Sequence, residues 1–463
     1  MYWLGTISAV SDGMQYGWTA PVIPILESPE SPFSIDETDV VWLENIYMLG
    51  GLAGLPITIF SVDKFGRKNS ILIAAVQNVI AWILIAFGTS VEYYYAARFL
   101  TGIAGDVAFV SAPMYIGEIA DQKIRGFLGS CIYLMMLVGI LVVYSVAPFV
   151  SIPISSAVGC SFLIVQLLSF PFMPESPYYL LLKNKQDRAR KSLQWLRSTI
   201  DVEKELEEIS AAVERQNTER GRPIDLLIVN SNRKALLIMT VLNFAQHFSS
   251  ISVMLMNIHS ILDDAASMLT SSTAAIIFSA LMLLSASTAS TVIDKAGRKL
   301  LLSSSSVLTG IALLILASYF AVKNSGNDMT SYTWVPIFSV MLYAITFKYG
   351  LGMVPIVMTA ELFPTSVKAM GMTIADAMYV IFAIASIYLF QHLKPIYGIH
   401  VPFFIFAGSC FLTAIFTVII IPETKGKTLE EIQMTLKGIP LTKKADTNDI
   451  ENRDIEIIED THL

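Results

Sequence analysis

Long apolar runs alternate with short polar breaks along almost the whole chain. Twelve of them reach or approach the ~20 residues that a spanning helix needs: about residues 2–26, 40–62, 70–88, 92–115, 126–148, 152–173, 234–261, 270–293, 300–322, 334–360, 369–393 and 398–421. Inside hydrocarbon, backbone N–H and C=O groups must be satisfied by the protein itself, which selects helices for runs of this kind. The pattern predicts an all-α membrane protein with twelve transmembrane helices. The first run begins almost at Met1 and is too rich in Gly, Gln, Trp and Pro for a secretory signal, so it is expected to remain as a span.

The polar breaks repeat. Asp63-Lys64-Phe65-Gly66-Arg67-Lys68 returns 231 residues later as Asp294-Lys295-Ala296-Gly297-Arg298-Lys299. Glu118, seven residues before Arg125, is matched by Glu361, seven before Lys368. Pro174-Glu175-Ser176 is matched by Pro422-Glu423-Thr424. Three echoes in the same order indicate two related halves. The expected division is 1–173 for the first half, 174–233 for a polar connector, 234–421 for the second half and 422–463 for a tail.

Composition agrees. Of the 463 residues, 54% are hydrophobic and 15% charged, and the mean hydropathy is +0.60. A soluble globular domain has a far lower apolar content. The basic residues set an orientation: with both termini inside, cytoplasmic segments hold 27 of the 31 Lys and Arg. Lys323 and Lys394 fall outside, and Arg98 and Lys348 lie within spans. No phosphate loop, metal-spaced cluster or nucleophile triad is present, so no enzymatic activity, cofactor, metal or nucleic-acid partner is expected. The lipid bilayer is the one certain surrounding, and the sequence sets no oligomeric state. No retention signal is visible at the C-terminus, which makes the plasma membrane the default location.

In the connector, Val202, Leu206, Ile209 and Val213 recur at helical spacing among charges, and Gln186–Arg197 forms a second amphipathic stretch. The apolar stripes predict a small cytoplasmic bundle that latches both halves. The polar, acidic stretch after about residue 440 is expected to be disordered.

Taken with Pro-Met-Tyr-Ile-Gly-Glu-Ile at 113–119, Pro-Glu-Ser-Pro at 174–177, Glu-Leu-Phe-Pro at 361–364 and Pro-Glu-Thr-Lys-Gly-Lys-Thr at 422–428, the repeated motifs resemble the sugar porter family of the major facilitator superfamily. The resemblance covers essentially the full chain. Gly17-Trp18 with Pro21 and Pro24, and Ser192-Leu193-Gln194-Trp195-Leu196-Arg197, are similar to the insect facilitated trehalose transporter group. The resemblance implies two pseudo-symmetric six-helix bundles that rock around a central cavity, lined by the first, fourth, seventh and tenth spans. It implies gating roles for Asp63, Arg67, Glu118 and Arg125, for Asp294, Arg298, Glu361 and Lys368, and for Arg98. If exposed, each charge pair is worth only ~0–1 kcal/mol, so a gate needs the network.

The substrate positions depart from the family pattern. The family's fifth-span Gln is Tyr133, its eighth-span Asn is Met282, and its eleventh-span Asn-Trp is Tyr379-Val380. On the tenth span Lys348 replaces an acid and Ile356 replaces a Trp. Of the seventh-span sugar contacts Gln246 persists, followed by His247 and, further on, Ser252. These replacements remove amide groups that could match sugar hydroxyls, yet Tyr133, His247, Ser252 and Tyr379 still offer hydrogen bonds. The resemblance thus implies a small polar solute, a sugar or polyol, with Tyr133, Gln246, His247, Ser252, Lys348, Ile356 and Tyr379 as its contacts. Proton-linked relatives carry an acid where this chain has Thr19, which implies a uniporter. Asp12 and Asp106 are expected at similar depth and form a candidate proton site. Three readings stay open on the sequence: a facilitative uniporter for a sugar such as trehalose or a hexose, a proton-coupled symporter, and a non-transporting solute sensor.

Overall fold

The computed structural model describes residues 6–29, 31, 33–120, 125–218, 222, 224–263, 269–364, 367–427 and 429–437. The first half contains α1 (Ile7–Tyr16), α2 (Thr19–Leu26), α3 (Glu37–Phe65), α4 (Arg67–Phe87), α5 (Val91–Ile119), α6 (Arg125–Val146) and α7 (Ile152–Ser169). The connector forms α8 (Pro177–Leu182), α9 (Gln186–Arg197), α10 (Glu203–Thr218) and α11 (Asp225–Ile228). The second half contains α12 (Asn230–His247), α13 (Ile251–Asp263), α14 (Ser271–Ala296), α15 (Arg298–Asn324), α16 (Trp334–Tyr349), α17 (Val354–Leu362), α18 (Lys368–Tyr397) and α19 (His400–Ile420), followed by α20 (Leu429–Lys437).

Among the described residues, eleven segments are long and apolar enough to cross a membrane. The remaining span is the first, which is not the continuous helix expected over 2–26. It breaks at Gly17-Trp18 into α1 and α2. The seventh span breaks between α12 and α13, where Ser250 takes a φ of +75°. The tenth breaks between α16 and α17, where the Gly352 N–H bonds back to the Phe347 carbonyl at 2.8 Å. Such breaks are tolerated at membrane depth only when protein or a cavity covers them.

Close backbone approach locks the first half. A Cβ on Gly13 would lie 1.9 Å from the Met136 carbonyl oxygen, and one on Gly139 would lie 2.0 Å from that of Val10. Only glycine at both positions lets α1 and α6 cross at this distance.

The two halves meet through α2 and α13, α3 and α18, and α6 and α14. The Asn45 amide donates to Gln391 at 2.9 Å, the Gln391 amide donates to Glu44, and the Tyr144 hydroxyl donates to the Leu255 carbonyl. These three bonds lie toward the end of the bundle remote from the basic turns. At mid-depth Tyr16 pairs with Ser252 at 3.2 Å, and Lys348 donates to Tyr133. Among the described residues, then, the bonds joining the halves lie in the middle and at the remote end.

Among the described residues the connector packs mainly on itself, and its α11 lies against α12 of the second half. Leu180, Leu181, Ala189, Leu193, Val202 and Leu206 form its own small core. It is tied to the first half by Arg197, which donates to the Ile119 carbonyl at 3.0 Å. The main packing of α9 and α10 is with α8 and with each other. The α20 helix packs on α12 and α17 of the second half instead. The tail expected to be disordered lies outside the described residues.

Gly139→Leu should cost at least about 1–3 kcal/mol by forcing α1 and α6 apart. Fluorescence-detected size exclusion with thermal challenge reads this; a wild-type melting temperature would contradict the tight crossing.

Candidate functional site

Each half carries the same cassette at its basic end. The turn residue is glycine with positive φ, +91° at Gly66 and +94° at Gly297, a conformation that other residues rarely adopt. A Cβ there would also strike Glu175 Oε2 at 2.5 Å or Glu423 Oε2 at 2.7 Å. These glutamates fill the space because they cap the helix that follows. Glu175 accepts from the Lys68 N–H at 3.1 Å, and Glu423 from those of Arg298 and Lys299 at 3.0 and 3.1 Å. The helix N-terminus has no internal partners for these donors and favours negative charge.

The arginine after the glycine turns back to the fourth or tenth span. Arg67 Nη2 lies 2.8 Å from Glu118 Oε1, and Arg298 Nη2 lies 2.9 Å from Glu361 Oε1. The second oxygen of each glutamate is taken by the residue after the capping glutamate. Ser176 donates to Glu118, and Thr424 Oγ1 donates to Glu361 at 2.6 Å. The glutamate and the Ser/Thr of the Pro-Glu-Ser/Thr echo thus each have a structural reason. The pairs are not exposed: the arginine side chains are 5% and 9% accessible. Each pair lies within a single half. Lys368 is within electrostatic reach of Glu361. Asp63 is exposed, and the side chains of Arg125 and Asp294 lie outside the described residues. Arg98 does not belong to this group. It is buried toward the remote end, donating to the Leu43 carbonyl at 3.2 Å and to the Gln15 carbonyl, with its guanidinium 4.5 Å from the Tyr47 ring centroid.

The second polar cluster sits at mid-depth where the broken spans face one another. His247 Nδ1 meets Ser252 Oγ at 2.9 Å, and the His247 ring stands edge-on to Tyr379 with centroids 4.2 Å apart. Gln246 Nε2 donates to the Gly352 carbonyl at 3.4 Å, tying one break to another. Lys348 and Tyr133 join across the halves, as do Tyr16 and Ser252. His247 Nε2, both polar atoms of the Gln15 amide, and the Thr19 and Ser250 hydroxyls are buried without a partner. Six of the seven expected contacts are therefore placed at this level. Ile356 departs from them: it stands one turn past the break, 47% exposed.

The carboxylates expected as a proton pair have separate partners. Asp12 accepts from Asn78 Nδ2 at 2.6 Å, and Asp106 accepts from Thr58 Oγ1. Across the interface Asp106 lies within electrostatic reach of Asp376 instead. Sequence reasoning also passed over Tyr16, Glu44, Asn45 and Gln391. Glu44 had a visible signal, since it is an acid inside a spanning run and is fully buried.

Two sets of spans meeting at a polar mid-depth cluster, with helices broken there, define a membrane transporter and not an enzyme. The chain belongs to the family described as sugar (and other) transporter, whose model matches residues 3–436. A facilitated trehalose transporter of Polypedilum vanderplanki is 32% identical over 435 residues, 92% of this chain and 85% of that protein. One of Anopheles gambiae is 30% identical over 432 residues, and one of Drosophila virilis 30% over 431. The chain spans about half the length of these two, 54% and 47%. Among solved structures, the inward-open xylose transporter XylE from E. coli superposes with a TM-score of 0.77 at 21% identity, covering 94% of this chain and 98% of that one. This likeness carries the major facilitator fold.

The two capping glutamates differ in charge stability. Burial raises the Glu175 carboxyl above its ordinary range despite its N–H donors. Burial acts the same way on Glu423, but N–H groups of Lys425, Arg298, Lys299 and Thr424 outweigh it and hold the carboxyl below that range. An ionised Glu423 therefore contributes stability above the ordinary glutamate range, lost as pH falls through its lowered folded value. Glu175 has the opposite sign. At neutral pH Glu423→Gln should lower the melting temperature in detergent and Glu175→Gln should change it less, with the Glu423→Gln gap closing on acidification. Equal losses at every pH would contradict this asymmetry.

Proposed function

We propose that this chain is a facilitative transporter of a sugar or sugar-like solute, such as trehalose or a hexose, working by alternating access. The observation that carries the reading is the mid-depth cluster, where two hydrogen bonds cross between halves at the breaks of the first, seventh and tenth spans. A solute that replaces these bonds exchanges one set of cross-half contacts for another, which couples binding to the relative position of the halves. Tyr133, Gln246, His247, Ser252 and Tyr379 supply its hydrogen bonds, and Ile356 lies beside the approach to them.

The basic cassettes orient the protein with both termini in the cytoplasm, and the plasma membrane is the default location. In that orientation the halves are joined on the outer side, through Glu44, Asn45 and Gln391, which corresponds to an inward-facing state. Closing the inner side would bring the two cassettes toward each other as rigid units, each held by its own arginine–glutamate pair. Uniport is supported by Thr19, which stands where a proton-linked carrier has an acid, and by Asp12 and Asp106 bonding Asn78 and Thr58 rather than each other.

The test is uptake of labelled trehalose, hexoses and polyols into a transport-null cell, at acidic and neutral pH and with a protonophore. Saturable uptake indifferent to pH and protonophore is expected, in wild type and in Asp12→Asn and Asp106→Asn. Protonophore-sensitive uptake abolished by either substitution would establish a symporter. Arg67→Ala leaves Glu118 half-buried and unpaired and should cost about 3 kcal/mol of stability. A variant with an unchanged melting temperature would reduce Arg67 to a topology signal.

A further inference from the structure

Lys348 lies near the end of α16 in the middle of the membrane, with 3% of its surface accessible. Its Nζ donates to the Tyr133 hydroxyl and sits 4.8 Å from the centroid of that ring and 5.3 Å from that of Phe347. A hydroxyl and two ring faces are weak substitutes for a counter-charge. No described carboxylate forms an ion pair with this amine. Of the interior acids, Asp12 bonds Asn78, Asp106 bonds Thr58 and Glu44 bonds Gln391, while Asp376 lies within electrostatic reach of Asp106. Arg98, the other cation inside a span, has Glu44 within electrostatic reach. The carbonyls ending α16 favour a cation beside them but cover only part of the cost of burying one.

An ammonium held in a span without an acid faces either a cavity or an incoming partner. Beyond Tyr133, hydroxyls and an imidazole gather at the same depth: Tyr379 and Ser252 both contact His247, whose Nε2 is buried and unpartnered. Hydroxyl recognition and one fixed positive charge converge at the same depth.

We infer that the site takes a monoanionic sugar acid, whose carboxylate displaces Tyr133 from Lys348 while its hydroxyls are met by the surrounding side chains. The inference rests on the transport reading above and names its substrate class. One lysine balances one charge; a doubly charged phosphate ester would leave a charge unpaired in a water-poor site. Because the Lys348–Tyr133 bond crosses between halves, arrival of the carboxylate also releases one of the contacts that hold them together.

The test compares uptake of labelled D-glucuronate with that of labelled trehalose in wild type, Lys348→Gln and Lys348→Arg, as the ratio of the two kcat/KM values within each variant. The ratio cancels differences in the amount of folded protein. Wild type should favour glucuronate, Lys348→Gln should lower the ratio by about tenfold or more, and Lys348→Arg should keep it near wild type. Trehalose uptake without glucuronate uptake in wild type would overturn the inference while leaving the transport reading intact. A ratio unchanged in Lys348→Gln would overturn it as well and make the lysine a structural partner of Tyr133. Uptake of no solute by membrane-inserted wild type would instead overturn the transport reading, and the inference with it.

Discussion

A helix broken inside a membrane exposes backbone that lipid cannot satisfy. That constraint arranges the interior of this protein. The first, seventh and tenth spans each break, so they must turn their breaks toward one another and be covered by the remaining spans. Gln246 reaching the Gly352 carbonyl shows how one break supplies another. The polar cluster of Tyr16, Tyr133, His247, Ser252, Lys348 and Tyr379 follows, because side chains at the breaks are the ones held at mid-depth and away from lipid. The proposed solute site is thus a by-product of where the backbone could not be left uncovered.

The basic ends obey a second constraint, the need to stop one helix and start another within a single residue. Gly66 and Gly297 make the turn, Glu175 and Glu423 cap the new helix, and the adjacent Ser176 or Thr424 shares Glu118 or Glu361 with the arginine. Because these groups are largely withdrawn from water and bonded within their own half, they act as stiffeners of each half. The contacts available to open and close are the weaker ones between halves: Asn45 and Glu44 with Gln391, Tyr144 with the Leu255 carbonyl, Tyr16 with Ser252, and Lys348 with Tyr133. A transporter needs this distribution, strong bonds within the moving bodies and modest ones between them.

Much of this was legible in the residues. The duplicated motifs located both cassettes because each position in them answers a local demand, a positive φ, a helix start or a charge. The bounds of the connector helix at Gln186–Arg197 were also readable from its pattern. The breaks were harder, since an interrupted span has the same apolar content as a straight one. Depth along a helix could be counted for Asp12 and Asp106, but not the direction each faces, and the two carboxylates found Asn78 and Thr58 on different neighbours. An apolar stripe on the connector showed that it packs but not on what: α8 to α10 form their own core, tied to the first half by Arg197, while α11 lies on α12 of the second. Arg98 was grouped with the basic turns by resemblance, while its actual neighbours, Tyr47 and the Gln15 and Leu43 carbonyls, come from two other helices, α1 and α3, that no single stretch reveals.

The central claim is that two rigid halves rock about the mid-depth cluster. Spin labels at the exposed positions Lys64 and Lys295, one in each basic turn, and at Phe149 and Lys323 toward the remote end, would report both gaps by pulsed electron resonance. On adding a transported solute, the account predicts that the basic-end distance distribution shifts shorter while the remote-end distribution shifts longer, in the same proportion of molecules. Two distributions that stay fixed, or that shift independently of each other, would contradict it.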